Sequence, residues 1–220
     1  MKAINLEFPV ILVGLVFLGL VTFTCLSNTA VTSQLTAFNQ HIGSAINNAR
    51  FSLMDTLSPH IGSFYFWIPF YCCLILLLAG FDRVKFLRTF LFFTAYLLMA
   101  GFCTWLLNLL GSRFLPESST SFHYNYSGLA MDRSLICINA TLSFGAAIFI
   151  SLFLDRRFNV IKAALLLFSL VIIYNLIYLG GDLPVTLLLG MVAGVATALL
   201  CKSWFKRLSD ESTINKFIAS

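Results

Sequence analysis

An all-α integral membrane protein with six transmembrane helices is what this sequence predicts, and three observations carry the prediction. The 220 residues are 59% hydrophobic and only 10% charged, whereas about a quarter of a soluble domain is charged. Six apolar stretches approach or reach the roughly 20 residues needed to cross about 30 Å of hydrocarbon. The Lys and Arg residues are sorted into alternate connections between those stretches, as a membrane chain requires.

The spans follow in order. The first, about 8–26, is preceded by Lys2. No A-x-A-like cleavage site follows it, and Thr22, Phe23 and Thr24 before Cys25 do not resemble a lipoprotein box, so it reads as a retained span rather than a signal peptide. Residues 27–62 form the first long loop, with apolar Leu35, Phe38, Ile42, Ile46, Phe51 and Met54 at spacings of mostly three to five. That pattern predicts a helix lying in the interface with one face in the headgroups. Spans at about 63–81 and 89–110 are joined by the tight run FDRVKFLR. The second long loop, 111–133, is rich in Ser, Tyr and Gly, and its polar groups must cap the bundle outside the hydrocarbon. Spans at about 134–154, 162–180 and 184–201 complete the set, with LDRRFNVIK as another tight turn.

Orientation follows from the cations. With both termini cytoplasmic, Lys2, Arg83, Lys85, Arg88, Arg156, Arg157, Lys162, Lys202, Lys206, Arg207 and Lys216 lie inside, and only Arg50, Arg113 and Arg133 lie outside. The inner cations read as topology anchors that meet anionic lipid. A net charge of +5 spread this thinly makes no nucleic-acid surface. The aromatic content of 15% excludes disorder, and the apolar runs leave no room for a large extramembrane enzyme domain. Residues 1–220 thus read as a single membrane domain. The cysteines, Cys72, Cys73, Cys103, Cys137 and Cys201 in or beside spans and Cys25 at the end of the first, form no C-x-x-C pair and read as packing.

The segment from Asn175 to Leu200 carries the most chemical information. It breaks at Gly180-Gly181-Asp182-Leu183-Pro184 and continues with Gly190 and Gly194 four residues apart. Glycines at that spacing let helices approach closely. Asp182 at a helix junction reads as a cap ahead of Pro184, and an acidic residue there also invites a functional explanation. His41, His60 and His123 read as loop or interfacial histidines, and a metal site through them lacks a fourth ligand. Ser143 is expected to bond a local carbonyl. The mid-span regions hold almost no charge and no paired broken helices, which disfavours a transporter.

This stretch resembles the third signature of the type 2 phosphatidic acid phosphatase family, whose members hydrolyse or transfer lipid phosphates. Tyr178, Leu179, Gly180 and Pro184 keep the family context, while Asn175, Leu176, Asp182 and Thr186 stand where the family has Ser, Arg, His and Asp. The run NLLGSRFLP fits the first signature with Asn108 at the Lys position, Leu115 at the Arg position and Pro116 retained. LSFGAA is laid on the second signature with Ser143 matching and Gly145 in the His position. The runs FNQHIGSAINN and LNLLGSRFLP are also similar to the branch that phosphorylates lipid A with undecaprenyl pyrophosphate as donor.

The resemblance implies a six-helix lipid-phosphatase-like bundle in a bacterial inner membrane, its former active-site face periplasmic. It also implies lost catalysis. The family's nucleophilic His, acidic His, Lys and two Arg are all replaced here, and phosphoryl transfer depends on such cations. The expected function is that of a degenerate, non-hydrolytic protein that binds a lipid headgroup such as a phosphorylated polyprenyl or lipid A, or supports a membrane partner; no nucleic acid, cofactor or metal is called for. The alternative is a divergent phosphatase or phosphotransferase with Asp182 as nucleophile, His123 as acid and Arg113 or Arg133 as phosphate clamp. It predicts that these side chains converge within hydrogen-bond reach of Asp182.

Overall fold

The computed structural model describes residues 29–61, 64–81, 86–111, 135–154, 156–179 and 182–210. Among them are seven α-helices and one short 3₁₀ turn, with no strand: α1 Thr29–Asn48, α2 Ser52–Ile61, α3 Phe64–Phe81, α4 Phe86–Gly111, α5 Ile138–Phe153, the turn Arg156–Phe158, α6 Asn159–Tyr178 and α7 Pro184–Asp210. The expected first span at 8–26 and most of the loop at 111–133 lie outside the described residues.

The chain is a helical membrane protein. Thr89–Leu109, Asn159–Tyr178 and Pro184–Phe205 are long and apolar enough to cross a membrane, and a fourth span arises if α2 and α3 count as one broken span. Helix α4 shows why such a helix carries apolar residues all round. Phe93, Tyr96, Ala100 and Thr104 form a buried stripe, while Leu91, Leu98, Phe102 and Trp105 on the other side are exposed. In hydrocarbon the exposed stripe is as well solvated as the buried one.

Helix α5 is the centre of the fold, packed against α7, α6 and α4. Its buried residues, Ala140, Thr141, Ser143, Gly145, Ala146, Ala147, Phe149 and Ile150, run around most of its circumference. The expected span at 134–154 starts four residues later than predicted, at Ile138. Where α5 crosses α7 the backbones nearly touch. A Cβ on Gly194 would lie 2.5 Å from the Thr141 carbonyl and 3.1 Å from Gly145 Cα; one on Gly190 would lie 2.7 Å from the Cys137 carbonyl. A Cβ on Gly145 would strike Tyr96 Oη. The glycine spacing read from the sequence therefore does what small residues do in membranes, bringing helices within direct contact.

Polar side chains in this core bond locally. Thr141 Oγ1 donates to the Cys137 carbonyl at 3.0 Å, Ser143 Oγ to that of Asn139 at 2.7 Å, and Thr197 Oγ1 to that of Ala193 at 2.9 Å. Returning to the preceding turn satisfies a hydroxyl where no water reaches. Tyr96 Oη makes a longer link, donating to the Thr141 carbonyl at 3.0 Å across the α4–α5 contact.

The segment expected to be an interfacial helix is two helices, α1 and α2, with a break at 49–51. α1 rests on α6 and α7, and α2 on α6. The face of α1 differs from the expected one. Asn39 is buried, with Leu35, Ile42 and Ile46 half-buried beside it, whereas Phe38 points outward. The stripe 35, 39, 42, 46 keeps the 3.6-residue period and puts a polar residue at its centre.

Candidate functional site

One end of the bundle gathers polar groups from α1, α2, α4, α6 and the openings of α5 and α7 into a polar collar. At its centre is the opening of α5. Asn108, near the end of α4, donates from Nδ2 to the Ile136 carbonyl at 2.9 Å and accepts from the Ile136 N–H at 2.8 Å. This two-point grip holds residue 136 in a non-helical conformation and explains why α5 starts late. Cys137 follows as N-cap, its sulfur accepting from the Ala140 N–H at 3.5 Å. The Cys137 thiol donates to Asp182 Oδ2 at 3.2 Å, and the Cys137 N–H donates to the Thr186 carbonyl at 3.1 Å. The ends of α4, α5 and α7 are thus stitched together by four bonds around two residues.

A second group flanks it. Asn39 Oδ1 of α1 accepts from the Val185 N–H at 3.1 Å, so a side chain some 150 residues away caps the first turn of α7 (separation of 146 in the chain). At the end of α6, Tyr178 Oη donates to Asp55 Oδ1 at 2.6 Å. Arg50 lies over the Tyr178 ring, 5.2 Å from its centroid, and its Nη2 donates to the Tyr178 carbonyl at 3.4 Å. One turn earlier, Asn175 Nδ2 donates to the Ser58 carbonyl of α2 at 3.2 Å.

The residues singled out from the sequence divide into three groups. Asn108, Asp182 and Thr186, taken from separate signatures, meet at the opening of α5. Asn175 sits in the collar on the α2 side, and Leu176 beside it is buried in the apolar core. Ser143 and Gly145 lie farther along α5, Ser143 bonded as expected to a local carbonyl and Gly145 filling the α7 crossing. Leu115, Pro116, His123, Arg113 and Arg133 lie outside the described residues.

One reading changes. Cys137 is not mere packing, because its thiol is the donor to Asp182; Cys201, whose thiol donates to the Phe92 carbonyl at 3.4 Å, is buried, and Cys72 and Cys73 are exposed. The cap on the Val185 N–H comes from Asn39. Sequence reasoning missed Asn39, Arg50, Asp55, Ser58 and Tyr178 as collar residues. A polar Asn inside an apolar stripe was a usable signal for Asn39, and an isolated outward cation was one for Arg50. For Cys137 the sequence offered none, since its partner is 45 residues away.

Chemically, Asn108, Leu176 and Thr186 present an amide, an alkyl group and a hydroxyl. None supplies the positive charge that stabilises a transferring phosphoryl group. No cluster of three His, Cys, Asp or Glu residues suited to a metal ion occurs among the described residues. No family model, no curated protein and no solved structure matches this chain.

Proposed function

We propose that the chain is a catalytically degenerate member of the lipid-phosphatase architecture: six spans, both termini cytoplasmic, and the polar collar on the periplasmic face of a bacterial inner membrane. In this reading it binds a lipid headgroup without hydrolysing it, or supports a membrane partner in envelope lipid and glycolipid metabolism. One observation carries the reading. Asn108, Asp182 and Thr186, assigned to two family signatures, converge on adjacent residues: Asn108 grips the Ile136 backbone, Asp182 accepts from the Cys137 thiol and the Thr186 carbonyl accepts from the Cys137 N–H.

That convergence also shifts the second signature. Ile136-Cys137-Ile138-Asn139 opens α5 in the middle of the collar, so in this reading it replaces Leu142–Gly145 and puts Asn139 where the family has its acidic His. Asn108, Asn139, Asn175, Asp182 and Thr186 are then suited to hydrogen bonding, Leu115 and Leu176 are apolar, and none of these positions offers the cations or imidazoles that phosphoryl transfer uses. Asp182, the one ionisable group among them, accepts a hydrogen bond from the Cys137 thiol.

The test is phosphate release and transfer by the purified chain in detergent, with undecaprenyl pyrophosphate, phosphatidic acid and lipid A supplied in turn. The expected result is no turnover above a blank in a sample shown to be folded, with the Asp182→Asn variant indistinguishable. Turnover that disappears in Asp182→Asn would sink the proposal and favour the carboxylate-nucleophile alternative, with His123 and Arg113 or Arg133 examined next.

A further inference from the structure

The seam between α2 and α6 contains two polar atoms that the protein itself leaves unsatisfied. Ser58 and Asn175 are each 1% exposed. They touch through the Asn175 amide and the Ser58 carbonyl at 3.2 Å, yet Asn175 Oδ1 and Ser58 Oγ have no hydrogen-bond partner. Buried polar atoms are nearly always paired, and an adjacent pair of exceptions calls for an explanation.

Their chemistry is complementary to one kind of group. Asn Oδ1 only accepts, whereas a Ser hydroxyl donates as well as accepts. A single incoming hydroxyl closes both, donating to Oδ1 and accepting from Oγ. A carboxylate or a fully ionised phosphate has no proton to offer Oδ1. Arg50 and Asp55, both on Tyr178 one turn along the same face of α6, bring one charge of each sign, so the seam selects neither anions nor cations.

Helix α2 has the character of a cover. It is ten residues long, contains Pro59, and its axis lies 74° from that of Phe66–Gly80 in α3. Pro59 has no N–H for the Asp55 carbonyl one turn back, which weakens a helix this short. Its outer surface exposes Leu53 and Leu57, and Phe51 beside it is exposed as well. Those apolar side chains belong among lipid headgroups and upper acyl chains rather than in bulk water.

We propose that the α2–α6 seam is a binding site for a neutral hydroxyl of a membrane lipid headgroup, of the kind a sugar carries, read by Ser58 and Asn175 beneath a cover formed by α2. The proposal deepens the headgroup-binding reading, since Asn175 also belongs to the collar, and its test reads hydroxyl preference apart from phosphate turnover.

The test uses the full chain in phosphatidylcholine nanodiscs doped with either a monohexosyl diacyl lipid or its permethylated counterpart, with lipid retention read by native mass spectrometry. The wild type is expected to retain the free-hydroxyl lipid about tenfold better than the methylated one. Ser58→Ala and Asn175→Leu are expected to abolish that preference, and Ser58→Thr, which keeps a hydroxyl, to retain it. Equal retention of the two lipids by the wild type, as when water alone satisfies the seam, overturns the proposal, and so does a preference that survives Ser58→Ala. Should Asn175→Leu fail to fold, the Ala and Thr variants at position 58 decide the matter by themselves.

Discussion

The α5–α7 crossing and the polar collar share helices α5 and α7 and are built on opposite principles. At the crossing, Gly145, Gly190 and Gly194 remove side chains so that backbone meets backbone. Contact there is non-directional and depends on the absence of atoms. In the collar, Asn108, Asn39, Cys137 and Tyr178 each place a specific donor or acceptor on a particular partner. The crossing tolerates no added volume. The collar tolerates volume better than loss of polarity. The contrast teaches where this fold keeps its identity and where it has room to vary its chemistry: the crossing positions the helices, and the collar decides what they present.

Substitutions can break or sharpen that contrast. The largest effect is expected from Gly194→Leu, because even its Cβ would sit 2.5 Å from the Thr141 carbonyl. Overpacking of this kind costs up to about 3 kcal/mol and sometimes more, and helices α5 and α7 cannot separate without exposing the collar. Loss of folded protein in thermal unfolding in detergent is the expected outcome. Asn108→Leu comes next. It nearly preserves volume but leaves the Ile136 N–H and carbonyl without their partner, at about 1–3 kcal/mol for each unsatisfied group. A melting shift smaller than that of a lipid-facing control such as Leu98→Ala would show that the grip on Ile136 contributes nothing.

Tyr178→Phe comes third: it removes the donor to Asp55 and should speed hydrogen exchange in α2 while leaving α5 unchanged. The smallest effect belongs to Asn39→Ala, which removes the cap on the Val185 N–H. Caps of this kind are worth about 1 kcal/mol. Faster exchange confined to the first turn of α7 is the expected signature, and exchange that spreads through the Gly190–Gly194 region would mean that collar and crossing are one cooperative unit.

Much of the architecture was legible because hydropathy and glycine spacing are local signals. The apolar runs at 63–81, 89–110, 162–180 and 184–201 each correspond to a helix, and Gly190 and Gly194 announced their contact. What could not be read depends on partners far along the chain. The start of α5 at Ile138 rather than 134 is set by Asn108, and the cap on Val185 by Asn39. The apolar face of α1 was drawn through Phe38 because an apolar count skips Asn39, although the period of the stripe passes through that residue. Ser143 bonds the Asn139 carbonyl as expected from its local chemistry, whereas the bond from Cys137 to Asp182 spans 45 residues and leaves no trace in the local sequence. The candidate site was therefore legible at Asn108, Asp182 and Thr186, where chain context pointed, and hidden wherever a bond joined distant segments.

The brevity of α5 has a consequence for the bilayer. Its 16 residues rise about 24 Å, against roughly 30 Å of hydrocarbon. At the far end from the collar, Phe92, Phe153 and Phe205 close into an aromatic cluster with ring centroids 4.8 to 4.9 Å apart, so α4 and α5 measure the same apolar depth between collar and cluster. Helix α5 thus falls about one helical turn short of an average bilayer. Because α4, α6 and α7 packed around it are long enough to cross, the shortfall is enclosed by protein rather than met by lipid. That enclosure lets the non-helical residues 135–137 and their polar partners sit at a depth where backbone facing lipid could not.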